Sequence, residues 1–193
     1  MYKGRLEAFS DGVLAIIITI MVLEIKVPHD ASWATLFKLA PVFFSYVLSF
    51  IYVGIYWNNH HHLFQSVKKV DGKVLWANLG LLFSLSLVPF ASGWMGANNF
   101  EDNTVTLYGI ILLMAAFSYY LLTVSLLKSH DRESVIAKAI GNKIKERISL
   151  GLYISGVFLS YWYPRVSFSF YVFVAILWLI PDSRIEKEFK NLT

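Results

Sequence analysis

Arg5-Leu6-Glu7-Ala8-Phe9-Ser10-Asp11-Gly12 runs without a break into Val13-Leu14-Ala15-Ile16-Ile17-Ile18-Thr19-Ile20-Met21-Val22-Leu23. A charged, hydroxyl-bearing turn thus opens directly onto eleven residues with one hydroxyl and no charge. An apolar run of this kind, extended to Leu6 and Ile25, reaches the roughly 20 residues needed to cross a hydrocarbon core of about 30 Å. No small-residue cleavage site follows it. Glu24-Ile25-Lys26-Val27-Pro28 comes next, so the segment reads as a retained helix rather than a signal peptide.

The remainder of the 193 residues repeats the pattern. Further apolar runs occupy Leu36 to Trp57, Val74 to Trp94 and Val105 to Leu127, and two shorter ones Lys145 to Tyr163 and Val166 to Arg184. The last two meet at Tyr163-Pro164-Arg165, where proline interrupts a helix. The composition agrees: 56% hydrophobic and 16% charged residues, against about 25% charged in a soluble domain. The expected fold is an all-α integral membrane protein of six transmembrane helices, one domain over residues 1–193.

Composition also excludes chemistry. Without cysteine there is no thiol catalysis, cysteine-type zinc site or cysteine-ligated iron–sulfur cluster. The net charge of +4 does not point to nucleic acid, because its distribution follows membrane topology. With the N-terminus inside, every one of the 17 basic residues except Lys26, Lys38 and Arg165 falls on the cytoplasmic side. The positive-inside rule expects that bias for an even number of spans. The sequence therefore predicts a multi-pass protein of the cell inner or plasma membrane with both termini cytoplasmic. Asp131 to Arg147 is basic and carries Val135, Ile136, Ile140 and Ile144 at helical spacing, as a helix lying on an anionic leaflet would.

Polar residues within spans are costly and usually functional or paired. Asp11 has only about 18 Å of helix between itself and Leu23 and is expected in the protein interior. A hydrogen-bonded cluster of Arg5, Ser10, Asp11 and His60 between the first and second spans is predicted. Asn78 of the third span joins it as polar glue. His60, His61 and His62 do not make a metal site, since neighbours on a helix diverge by about 100°; no metal or other cofactor is expected. Trp57 and His60, three apart, share a face and reach a neighbouring helix. On the first span Gly12, Ile16, Thr19, Ile20 and Leu23 form one stripe, which periodicity alone assigns to helix packing more readily than to a pore.

The string Arg5-Leu6-Glu7-Ala8-Phe9-Ser10-Asp11 resembles the R-x-x-x-F-S-D motif of the transmembrane protein 175 family, which includes the endolysosomal potassium channel. Trp57-Asn58-Asn59-His60 is similar to the family's W-x-x-H on its second helix. The resemblance implies a potassium-preferring cation channel, not an enzyme, with potassium ions, membrane lipid and three further copies of the chain as partners. It implies a homotetramer, as in the single-repeat prokaryotic members, with the first helix lining the pore. Ile16, Ile20 and Leu23 then form an apolar constriction with Thr19 beside it, while Arg5, Phe9, Ser10, Asp11, Trp57, His60 and Asn78 hold the helices or support gating. The alternative is a proton-coupled or other secondary transporter, which the sequence disfavours for want of an inverted repeat or a Gly/Pro-broken central helix.

Overall fold

The computed structural model describes residues 3–65, 67, 70–128 and 144–179. Eight helices and their turns account for the described residues, with no strand among them. They are α1 (Lys3–Leu23), α2 (Trp33–Phe37), α3 (Ala40–Gln65), α4 (Gly72–Ser86), α5 (Val88–Ala97), α6 (Asp102–Lys128), α7 (Ile144–Leu159) and α8 (Pro164–Leu179). Four segments are long and apolar enough to cross a membrane: α1, α3, α4 with α5 taken together, and α6. α8 is a shorter apolar helix of 16 residues, and α7 is also 16 residues long. The basic stretch from Asp131 lies outside the described residues up to Lys143, as do the end of the sixth expected span and the C-terminal tail.

Local chemistry sets the boundaries. α2 starts where the Ser32 hydroxyl accepts the Thr35 N–H at 3.3 Å, and α4 where the Asp71 carboxylate accepts the Val74 N–H at 2.9 Å; both satisfy a donor that a helix start leaves open. The second span differs from its expected limits of Leu36 to Trp57. Leu36 belongs to the separate α2, and α3 continues past Trp57 through the three histidines to Gln65.

The third expected span is not one continuous helix. It breaks at Leu87, between α4 and α5, two residues before Pro89. Proline has no N–H to give the carbonyl four residues back and its ring crowds that carbonyl; the regular bonding is interrupted at Leu87, which keeps helical angles and bonds its N–H to Ser84 O at 3.3 Å. The absence of a proline-broken helix, counted above against a transporter, is therefore corrected. Pro164, by contrast, opens α8 at its first position, where the missing N–H costs nothing.

α4 lies along α6, α3 against α5, and α7 pairs with α8 as a hairpin that rests on α6. α1 packs against α3, α4 and α5. Close approaches need glycine at two kinds of place. A Cβ on Gly96 of α5 would meet the backbone of Val42 in α3. A Cβ on Gly109 of α6 or Gly156 of α7 would run into the ring of Tyr171 from α8. Tyr171 is fully buried between them, and Tyr52, Tyr108 and Tyr153 complete a tyrosine core. Tyr52 donates its hydroxyl to the Tyr171 carbonyl at 2.6 Å, and Ser49 and Tyr108 share a hydrogen bond of 3.0 Å.

Candidate functional site: the two faces of the first helix

α1 buries one face and presents the other. Leu6, Ser10, Leu14, Ile17 and Met21 recur at intervals of three and four and face the protomer core. Ile17 is 4% exposed, whereas Ile16 is 58%, Ile20 43% and Leu23 78% exposed. Neighbours about 100° apart on the wheel thus part ways at Ile16 and Ile17. Gly12 and Thr19 are exposed with the stripe. Thr19 turns its hydroxyl back into its own helix, 3.1 Å from the Ala15 carbonyl and 2.9 Å from that of Ile16. Ile16 and Ile20 form one wall of an open groove, with Pro89, Phe90 and Trp94 of α5 opposite.

The buried face is tied down by polar groups. Asn78 of α4 is fully buried and its Nδ2 donates to Ser10 Oγ at 2.9 Å. Ser10 Oγ donates in turn to the Leu6 carbonyl at 2.9 Å. Since Nδ2 is the donor, Asn78 Oδ1 accepts, and the partner at 2.8 Å is His60 Nε2 of α3; the proton of that bond sits on Nε2. His60 is 2% exposed and stacks on Phe64, with ring centroids 4.5 Å apart. Three helices are thereby joined by one chain of hydrogen bonds.

The expected four-residue cluster is not what forms. Ser10 and His60 meet through Asn78. Asp11, one residue further round the helix, is on the protomer surface and not in its interior; there it accepts the Trp57 indole N–H at 3.0 Å. Arg5 is exposed and has no hydrogen bond or ion pair among the described residues, so it stands outside the network. Phe9 is likewise exposed. No group of three potential metal-ligating side chains occurs among the described residues. The tyrosine core and the break before Pro89 carry no residue that motif spacing singles out. Only the proline itself, inside an apolar run, signalled the second of them.

Comparison with known proteins adds the lineage. Residues 5–89 match the family model of the endosomal/lysosomal potassium channel TMEM175. A potassium channel of Chryseobacterium sp. (strain P1-3) is 57% identical over 191 residues, covering 99% of this chain and all of that protein. The human endosomal/lysosomal proton channel TMEM175 is 39% identical over 97 residues, 44% of this chain and 18% of that one. In structure, the crystal structure of a lysosomal potassium-selective channel TMEM175 homologue from Chamaesiphon minutus superposes with a TM-score of 0.78 at 28% identity. It covers 92% of this chain and 96% of that one. The motif, the near-full-length identity and the shared helical fold place the chain in one lineage: it belongs to the TMEM175 family.

Proposed function

We propose that the chain is one subunit of a homotetrameric, potassium-preferring cation channel whose pore is lined by α1. The observation that carries the reading is the division of α1: Ile16, Ile20 and Leu23 face away from the protomer while Ile17 and Ser10 are buried. One helix cannot enclose a pore, and rotation about a closed axis supplies the missing walls from identical copies. The names of the Chryseobacterium and Chamaesiphon relatives support potassium as the ion. The protomer has six spans, α7 and α8 forming the last two, in a single domain over residues 1–193. Both termini are cytoplasmic and the Asn98-to-Thr104 turn lies on the opposite side.

Ile16 to Leu23 covers seven residues, about 10.5 Å along the axis, so the rings stack as a short apolar neck. Such a neck gates by dewetting. Its isoleucine and leucine side chains offer ions no oxygen ligands and penalise most those that hold water hardest. Potassium, larger than sodium, gives up its hydration more cheaply and is preferred. Thr19 gives its hydroxyl hydrogen to its own helix, which leaves the lone pairs of its oxygen as the one side-chain ligand the stripe offers a cation.

A secondary transporter is the second reading, favoured by the break at Leu87 before a buried Pro89. Broken helices at mid-span are a mark of carriers. The Ser10–Asn78–His60 chain does not serve one as a proton path among the described residues, since it ends on the Leu6 carbonyl. Bilayer recording under opposed potassium and sodium gradients separates the two: a channel gives current that does not saturate with ion concentration in the manner of a carrier. Ile16→Asn and Leu23→Asn are expected to raise conductance and lower potassium preference. Thr19→Val, which keeps the shape and removes that oxygen, is expected to lower potassium preference modestly, and Ile17→Ala to weaken packing alone. Parent-like conduction and selectivity in Ile16→Asn and Leu23→Asn tetramers would remove α1 from the pore and refute the proposal.

A further inference from the structure

A cavity of about 450 Å³ lies between α3, α6, α7 and α8, with no residue of α1 in its lining. Its size falls within the range of small-molecule sites. Ile55, Phe117, Leu150 and Trp178 supply apolar walls. Of its polar groups, most are already committed. Tyr52 donates to the Tyr171 carbonyl at 2.6 Å, and Tyr119 to the Asn59 carbonyl at 3.3 Å. Thr123 donates to the Tyr119 carbonyl at 2.9 Å, and the Trp178 indole to Ser149 Oγ at 2.9 Å.

Tyr56 is among those that are not committed. It is 9% exposed, lines the cavity, and its hydroxyl has no hydrogen-bond partner among the described residues. A hydroxyl that faces a largely apolar cavity without a partner gains from an acceptor placed there. Glu146 and Arg147 line the cavity as adjacent residues of opposite sign, so they give no net attraction for an ion of either charge. Phe117, Tyr120 and Leu150, all exposed on the protomer surface, bring the lining out to the exterior as an apolar path.

We propose that this cavity binds a neutral amphiphile, an aromatic or alicyclic body bearing one carbonyl-type acceptor that takes the Tyr56 hydroxyl. The apolar body replaces the empty space between α3, α6 and α7, and the acceptor takes a hydroxyl that no described residue accepts. Tyr56 adjoins Trp57, the residue through which α3 meets Asp11 of α1, so the occupant bears on the same helical turn. Binding does not depend on whether the chain conducts.

The test uses the full chain in detergent micelles and 6-propionyl-2-dimethylaminonaphthalene, a neutral naphthalene with a single ketone, whose emission moves to the blue in apolar surroundings. A saturable blue-shifted component above the empty-micelle signal is expected. Tyr56→Phe should weaken it about fivefold, the worth of one hydrogen bond. Ala116→Phe, which fills the cavity from α6, should abolish it in protein that still elutes as the parent does. A naphthalene sulfonate of similar size should bind at least tenfold more weakly. Absence of a saturable component in the parent overturns the proposal, and so does parent-like affinity in Tyr56→Phe. Equal binding of the sulfonate overturns the neutral class. Should Ala116→Phe fail to fold, Tyr56→Phe decides alone.

Discussion

Replacing Asn78 by leucine keeps the side chain close in size and removes both of its hydrogen-bonding groups. The cost can be worked from the geometry. Ser10 loses the donor at 2.9 Å but keeps its own bond to the Leu6 carbonyl, so it is not stranded; a side-chain bond between membrane helices averages about 0.6 kcal/mol. His60 fares worse. Its Nε2–H loses the acceptor at 2.8 Å in a site where the ring is 2% exposed, and a buried donor without a partner costs about 1–3 kcal/mol. Asn78→Leu should therefore destabilise the protomer by about 2–4 kcal/mol. His60→Phe alone strands Asn78 Oδ1 and should cost about 1–3 kcal/mol, since the stack on Phe64 survives. The double variant leaves no buried polar group unpaired between α3 and α4, and should lie within about 1 kcal/mol of the parent. The assay is reversible unfolding in mixed micelles, followed by tryptophan emission, for the four members of the cycle. If the two single effects add within about 0.5 kcal/mol, the residues are independent and the hydrogen-bonded chain is not what joins these helices.

Tyr171→Phe removes a buried hydroxyl that has no hydrogen-bond partner among the described residues and should stabilise the protein by about 1–2 kcal/mol. Gly109→Ala, whose new methyl would overlap that hydroxyl, should cost about 1–3 kcal/mol and be partly rescued by Tyr171→Phe; unfolding of the three variants checks both, and a destabilised Tyr171→Phe would contradict the assignment. Asp30 accepts from the Ser32 hydroxyl, the Thr35 hydroxyl and the Ser32 N–H, which hold its carboxyl below the usual carboxylate range. Its contribution to α2 is thus present above the unfolded value of about 3.9 and is lost as pH falls through the lower folded value. Emission of a chain retaining only Trp33 should titrate with a midpoint under about 3.9, and Asp30→Asn should abolish the transition.

How much of this the sequence disclosed depends on which physical quantity each residue encodes. Depth along a span was legible: apolar run lengths located α1 and α6 to within a few residues, while α3 runs eight residues past its expected end at Trp57. The polar residues Ser10, His60 and Asn78 marked the place where three helices meet. Azimuth was legible only where a polar group broke the symmetry. Asp11 was assigned to the interior from depth alone, yet it follows Ser10 by one residue, and the same 100° that turns Ser10 inward turns Asp11 out. Arg5 failed for a related reason, since its side chain reaches the exterior and needs no partner. The tyrosine core could not be read at all. In a lipid environment an inward and an outward tyrosine have similarly apolar surroundings, so periodicity does not distinguish Tyr171 from the exposed Tyr161 and Tyr163. What separates them is Gly109 and Gly156 on two other helices, a long-range fit that no window of one helix contains.

That ambiguity of azimuth bears on how α1 is held. In water, an exposed row of Ile16, Ile20 and Leu23 would force its own burial. In a bilayer, lipid is as apolar as the row, so hydrophobicity gives α1 little reason to prefer one rotation over another. Packing of Leu14, Ile17 and Met21 against the core supplies a weak preference, because Ile16 and Ile18 are nearly the same shape as Ile17 and a rotation of about 100° exchanges like for like. The polar contacts do not exchange. Ser10 can meet Asn78 in only one rotation, and in that rotation Asp11 falls beside the Trp57 indole. Both contacts lie in the N-terminal half of α1, and the stripe begins only about 9 Å beyond Ser10, six residues at 1.5 Å each, too short a distance for a helix to twist out of register. The charged and hydroxyl-bearing turn therefore fixes which isoleucines face outward without touching them. If α1 lines the pore as proposed, the motif is its orienting device, and damage to it would reach conduction through the angle of the helix.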